Sequence, residues 1–297
     1  TSTMDGWEWK NPLPQGNNIN DVSYCNNSFI AVGEWGTIIT SADGINWKNA
    51  VSETTMPLNA TAYGNGTYVA VGGYGTVMTS PDGIKWTPRS SGTSKYLNGI
   101  TFGKNLFVAV GYSGIILTSP DGVKWTQQNS GGEIYLHGIA CGNNTFTAVG
   151  DSGTILTSED GVNWTSRVSG TSHHLRGVTH GNGIFTAVGA YGTLLTSTDG
   201  INWVQRRSGL TNYLHSVTYG NKTFAAAGYG GAITVSSDGL KWEPKKTESS
   251  ENLLGIAYGN NTFIAAGING TILVSTQSEI WVPLSRGTKT HLRGITH

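Results

Sequence analysis

A seven-residue signature, Ser-x-Asp-Gly-x-x-Trp, recurs along this chain at a fixed interval of 39 residues. It runs from Ser41, Ser80, Ser119, Ser158, Ser197 and Ser236. A worn copy from Ser275 has Gln277 and Ser278 in place of Asp and Gly. Equal spacing without insertions means one small structural unit stacked seven times, and this settles architecture before any other feature. The units span 19–57, 58–96, 97–135, 136–174, 175–213, 214–252 and 253–291, within a single domain over 1–297.

Within one unit, Leu97 to Tyr135, four apolar runs (LNGITFG, NLFVAVG, GIILTS and KWTQQ) are separated by Gly, Asn or Asp. Short β-rich runs bounded by turn formers predict strands, and no 3.6-residue period supports a helix. The runs are apolar on both faces, as in strands sandwiched between neighbouring sheets. Seven units of four strands predict an all-β fold, a seven-bladed β-propeller of four-stranded antiparallel blades. Glycine in the first run (Gly99, Gly138, Gly177, Gly255) places that strand innermost, where backbones crowd an axis.

The turns fit this plan. Gly-Asn-Gly and Gly-Asn-Asn between the first two strands suit hairpins with positive φ. Gly-x-x-Gly joins strands two and three. In the Ser-x-Asp-Gly turn, Asp is placed to accept the following N–H groups, Gly to take the left-handed conformation, and Trp to fill the wedge between sheets. This pattern resembles the Asp-box, or BNR, repeat of sialidases, sortilin-type receptors and bacterial photosystem II assembly-factor-like proteins, across nearly the whole chain. The family pattern usually carries an extra residue between Asp and Gly, which are adjacent here, as in Asp82-Gly83. The resemblance implies the propeller fold; it does not carry an activity across, because such folds host unrelated functions. It also suggests an extracellular or bacterial cell-surface setting, with a signal peptide removed or never present.

Two surplus segments flank the repeats. Residues 5–10 (Asp5-Gly6-Trp7-Glu8-Trp9) match a fourth strand, and residues 292–297 match a first strand. The expectation is a ring closed by pairing of terminal strands, the amino-terminal copy taking the outer place in the last blade beside the worn turn.

Charge is balanced, 18 basic against 18 acidic residues, so no basic face for nucleic acid is expected. No apolar run approaches the roughly 20 residues of a membrane-spanning helix. Cys25 and Cys141, three repeats apart, are too distant to bridge in a ring. No ligand spacing suggests a metal, and no cofactor is expected. The adjacent His173 and His174 point apart if extended. A monomer is expected.

Antiparallel strands put the Ser-x-Asp-Gly turns and first hairpins on one face, and the Gly-x-x-Gly turns and inter-blade links on the other. Variation between units collects on the second face. Its turns carry Trp35, Tyr74, Tyr112, Tyr191 and Tyr229, its links end in Tyr96, Tyr135 and Tyr213, and polar residues Asn98, His137, Arg176 and His215 lie just inside. Flat rings beside planar hydrogen-bonding groups suit sugars. The leading reading is therefore a non-catalytic module binding glycan or polysaccharide. One alternative is a protein-binding or assembly scaffold. A second is a glycoside hydrolase or lyase, for which Asp21 and Glu34, in one blade, are the carboxylate pair placed to converge. Sialidase activity would need three clustered arginines, whereas only Arg176 and Arg293 hold the axial position.

Overall fold

The structure is a computed structural model that describes residues 16–284. Seven sheets follow one another round a ring, each built on four strands of one repeat in chain order from the axis outward, with a fifth short strand from the first repeat added to the second sheet. In the third blade these strands are Leu97–Gly103, Leu106–Gly111, Ile116–Ser119 and Thr126–Gln128. The fourth strand starts after Trp125 rather than at Lys124, and the Trp125 Nε1 donates to Gly122 O of the preceding turn at 3.0 Å. Among the described residues, no helix is long and apolar enough to cross a membrane.

Local chemistry fixes each corner. The first hairpins place both central residues at positive φ, as at Lys104 (53°) and Asn105 (59°), the twist-matched turn for adjacent antiparallel strands. In the Ser-x-Asp-Gly turn, Asp43 Oδ1 accepts the Ile45 and Asn46 N–H groups at 2.9 and 2.8 Å. Ser41 Oγ accepts the Gly44 N–H at 2.9 Å and donates to Asp43 Oδ1. Gly44 sits at φ 77°, where a side chain would be strained. These bonds favour the charged carboxyl and hold Asp43 well below the usual carboxylate range.

The worn copy keeps the shape but loses part of the wiring. Ser278 takes the left-handed place at φ 61°, and Trp281 Nε1 still donates to Ser278 O at 3.1 Å. Ser275 Oγ, however, is buried without a partner.

Packing lies between blades, not within them. Phe107, Ala109 and Leu117 of the third blade share a core with Val69 and Val71 of the second. The same arrangement closes the ring, where Val22, Phe29 and Ala31 meet Ala257, Ile264 and Ala266. A second interlock rings the axis: a Cβ on Gly220 would overlap the Tyr258 ring, and one on Gly259 the Tyr24 ring. Phe102, His180 and Tyr219 sit in the same way against Gly64, Gly142 and Gly181, notches that only glycine leaves open, whereas Gly103 receives Cys141.

The described part of the seventh blade is complete within its own repeat. The outer place in the seventh blade is filled by that blade's own Val282–Pro283, paired with Leu273 and Val274. Trp281, 1% exposed, anchors that strand despite the altered turn. The first sheet packs face to face on the seventh. Segments 5–10 and 292–297 lie outside the described residues. The links also lie along neighbouring blades, unlike simple connectors. Val51–Ser52 pairs in parallel with the outer strand of the second blade, covering an exposed edge.

Candidate binding face

Every Gly-x-x-Gly turn is a single 3₁₀ turn, and its two middle positions project differently. The second lies at positive φ: Trp35 at 57°, Tyr74 at 54° and Tyr191 at 55°. Those side chains stand out from the disc, 72%, 62% and 74% exposed. The first middle position turns toward the axis. Glu34 and Tyr112 reach the axial mouth, Asp151 bonds to His137, and Tyr229 stacks on His215 with centroids 6.2 Å apart. The five turn aromatics singled out in the sequence therefore form two sets. Residue order within the turn carried that distinction.

The mouth is a cavity of about 350 Å³. It gathers Tyr96, Tyr112, Asn98, His137, Arg176 and His215 from the sequence-predicted set, together with Asn20, Glu34, Pro57, Asn59 and Leu254. Trp35, Tyr74, Tyr135, Tyr191, Tyr213 and Tyr229 do not line it. The tyrosines largely cover one another. Tyr74, Tyr96, Tyr112 and Tyr135 run as a ladder with successive centroids 4.9, 5.4 and 4.6 Å apart. Tyr213 and Tyr229 stack at 5.2 Å. Stacking of this kind takes up part of the ring faces, while Tyr112 and Tyr135 remain 37% and 44% exposed.

The axial amides are likewise partly spent on the fold. Asn20, Asn59 and Asn98 each donate Nδ2 to the next blade, to Leu58 O, Leu97 O and Leu136 O at 3.0, 2.9 and 2.8 Å. His215 Nδ1 donates to Leu254 O at 2.7 Å. Burial, with Arg176 and His137 nearby, pulls His215 down to about 4, so its ring is neutral at physiological pH.

His137 and Arg176 break this ladder and bond sideways. His137 Nε2 donates to Asp151 Oδ1 at 2.7 Å, leaving Nδ1 to accept Arg176 Nη1 at 3.0 Å. Arg176 Nε donates to Tyr213 OH at 2.7 Å, and the guanidinium lies over that ring at 5.5 Å. Burial, followed by the Arg176 charge, holds His137 below its ordinary value. The guanidinium is thus fixed in plane with two of its five donors committed. His174 Nδ1 lies 2.9 Å from the same Asp151 oxygen, whereas His173 Nδ1 bonds Thr193 Oγ1 at 2.8 Å. The paired histidines thus face different partners.

Below the mouth the axis narrows to a channel of about 140 Å³. Its next tier is Asp21, Ala60, Gly99, Gly138, Gly177 and Ser216. Asp21 Oδ2 accepts the Thr61 N–H at 3.3 Å, and enclosure pushes its carboxyl up to about 6. Asp21 and Glu34, the pair considered for hydrolysis, occupy different tiers: Asp21 the channel wall, Glu34 the mouth. Arg293 lies outside the described residues. Cys25 and Cys141 are unpaired. Among the described residues, no three His, Cys, Asp or Glu side chains are placed to hold a metal.

The opposite face carries a cleft of about 340 Å³ between the fourth and fifth blades, lined by Glu159, Asp160, Asp199 and Arg167. Asp160 and Asp199 already accept N–H groups of their own turns, and Arg167 Nε bonds Thr157 Oγ1 at 2.8 Å.

Comparison with known proteins adds the fold's relatives. No family model and no curated protein matches the chain. Among solved structures it is similar to YCF48 bound to D1 peptide, with TM-score 0.72, 19% identity and coverage of 92% of this chain and 96% of that one. It is also similar to YCF48 from Cyanidioschyzon merolae, with TM-score 0.69, 18% identity and coverage of 90% and 98%. The computationally designed Ika8 protein follows at TM-score 0.66 and 15% identity, covering 92% of this chain and 87% of its own. At such identities the likeness is one of fold.

Proposed function

We propose that this chain is a non-catalytic binding module for a protein partner, taking an extended peptide segment across the axial mouth. One observation carries the reading: Arg176 is held in plane by His137 and Tyr213 with donors to spare beside the mouth. A planar guanidinium fixed in this way suits a carboxylate or a run of main-chain carbonyls. Tyr96, Tyr112 and Pro57 supply an apolar wall beside it. The fold relative solved with a bound peptide supports this reading over the glycan one, as does the mutual stacking of the tyrosines. Catalysis is not part of the proposal, since its two candidate carboxylates occupy separate tiers.

Selection from a displayed random peptide library tests it. The expected result is a family of peptides that bind the wild type and are lost with Arg176→Ala. Failure to enrich any peptide, or peptides indifferent to Arg176→Ala, would overturn it. The glycan reading retains one specific support, the outward rings of Trp35 and Tyr191. Retention on a polysaccharide array that Trp35→Ala and Tyr191→Ala abolish would favour it instead.

A further inference from the structure

The mouth opens into a channel whose wall contains a carboxylate that nothing described so far uses. The tier below the mouth is almost devoid of side chains: Ala60, Gly99, Gly138, Gly177, Ser216 and Gly255 hold the positions equivalent to Asp21. Crowding at the axis accounts for the small residues, since a Cβ on Gly99, Gly138 or Gly177 would press on the backbone of the next blade. Asp21 is the exception. It brings a charge to the narrowest part of the molecule, where the other six blades bring none.

No fold requirement explains it. Asp21 accepts the Thr61 N–H at a long 3.3 Å and interacts with the Val22 N–H, which leaves part of the roughly four acceptor sites of an ionised carboxylate open. Among the described residues, no basic side chain belongs to the tier of Asp21. Arg176, the cation of the tier above, is committed to His137 and Tyr213 on the fifth blade. Burying a carboxylate without a counter-charge is unfavourable, and the raised pKa of Asp21 reflects that. The missing partner is a cation that can be inserted from the mouth.

We infer that the axial channel is a site for a primary ammonium group on an unbranched aliphatic stem, with Asp21 as its counter-charge. This deepens the peptide-binding reading, on which it rests for its source: a lysine side chain of the bound segment. A channel of about 140 Å³ admits a slim methylene stem ending in a compact ammonium; a planar, forked guanidinium is the poorer fit. The three ammonium donors meet the spare carboxylate sites of Asp21, while Ser216, Asn20 and Asn59 line the same channel.

Calorimetric titration with three probes tests the site without any peptide partner: Nα-acetyl-lysine methylamide, its norleucine counterpart, and 1,5-diaminopentane. The two amines should bind the wild type saturably and the uncharged norleucine probe should not. Asp21→Asn, which keeps an acceptor for Thr61, should weaken both amines roughly tenfold or more, as expected for losing a charge-assisted bond. Asp21→Ala, the residue of the second blade, is the check should the first variant be unstable. A lysine probe tighter than the diamine identifies a peptide side chain as the source; the reverse identifies a free amine. The inference fails if neither amine binds the wild type, or if both bind the Asp21 variants unchanged. Since the probes do not engage Arg176, failure of peptide selection would leave a positive result standing.

Discussion

Arg176 Nη1 donates to His137 Nδ1 at 3.0 Å, and this bond sets the state of both residues. His137 must carry its proton on Nε2, which Asp151 receives, and Arg176 must lie in the plane that Tyr213 OH also defines. An ammonium could donate to His137 Nδ1 but has no planar fork to hold both partners in one plane. Arg176→Lys should therefore behave almost as poorly as Arg176→Ala in binding a selected peptide, losing about tenfold or more. Its melting temperature should stay within a few degrees of the wild type. Full binding by Arg176→Lys would show that charge alone suffices and that the held geometry is irrelevant.

Two threonines oppose the packing around them. Thr147 and Thr186 are fully buried, and their hydroxyls lack partners. The equivalent positions in other blades hold Ile30, Val69, Val108, Ala225 and Ile264. Replacing an unsatisfied hydroxyl by a methyl of the same shape should gain about 1 kcal/mol at each site. Thr147→Val and Thr186→Val should each raise the midpoint of chemical denaturation, and the double variant should come close to their sum. A loss of stability in either would mean the hydroxyl has an acceptor within the blade interface.

Repair of the worn turn is a separate case. Gln277→Asp with Ser278→Gly restores the carboxylate for the turn amides and relieves a serine held at φ 61°. It also gives Ser275 Oγ the partner that Ser41 Oγ has in Asp43. The expected gain is on the order of 1–2 kcal/mol, read as a higher thermal midpoint. No gain would indicate that the last blade limits stability elsewhere.

The two enclosed axial groups titrate with opposite effects on stability. Asp21 rises from 3.8 to about 6 on folding, so its contribution is fully present below pH 3.8 and lost as pH rises through 6. His215 falls from 6.5 to about 4, so its contribution is present above pH 6.5 and lost as pH falls through 4. Between pH 4 and 6 the two oppose each other. Asp21→Asn should remove one side of this balance. It should be more stable than the wild type by on the order of 2 kcal/mol at pH 7 and equal to it near pH 3. A variant stabilised equally at both pH values would place the effect in packing rather than in titration.

Much of this architecture was legible because its determinants are local. Asp43, Gly44 and Trp47 fix one corner within seven residues, and repetition shows the motif seven times. Blade number, strand order and the two-faced distribution of turns follow from such spacing. Ring closure was not legible, since the same interblade contact recurs at the seam. Asn269 N–H bonds Asn18 Oδ1 at 2.8 Å across 251 residues, much as Gly230 N–H bonds Asn252 Oδ1 at 2.9 Å across 22. The candidate face was named residue by residue, but the direction of each side chain depends on φ. Tyr112 and Tyr191 occupy different positions of equivalent turns, and only one of them reaches the mouth. The bonds of Asn59 and Asn98 to the next blade join residues 38 apart, and the stacked tyrosines join a link of one blade to turns on either side of it, beyond the reach of any local pattern.

The central claim is that a partner occupies the axial mouth on the face of the Gly-x-x-Gly turns. Hydrogen–deuterium exchange on the complex with a selected peptide measures this directly. Protection should rise in the 34–36 and 112–114 turns and around 174–176, and stay unchanged in the turns that contain Asp82, Asp121 and Asp160. New protection confined to those Asp-containing turns, with the mouth exchanging as in the free protein, would contradict the account.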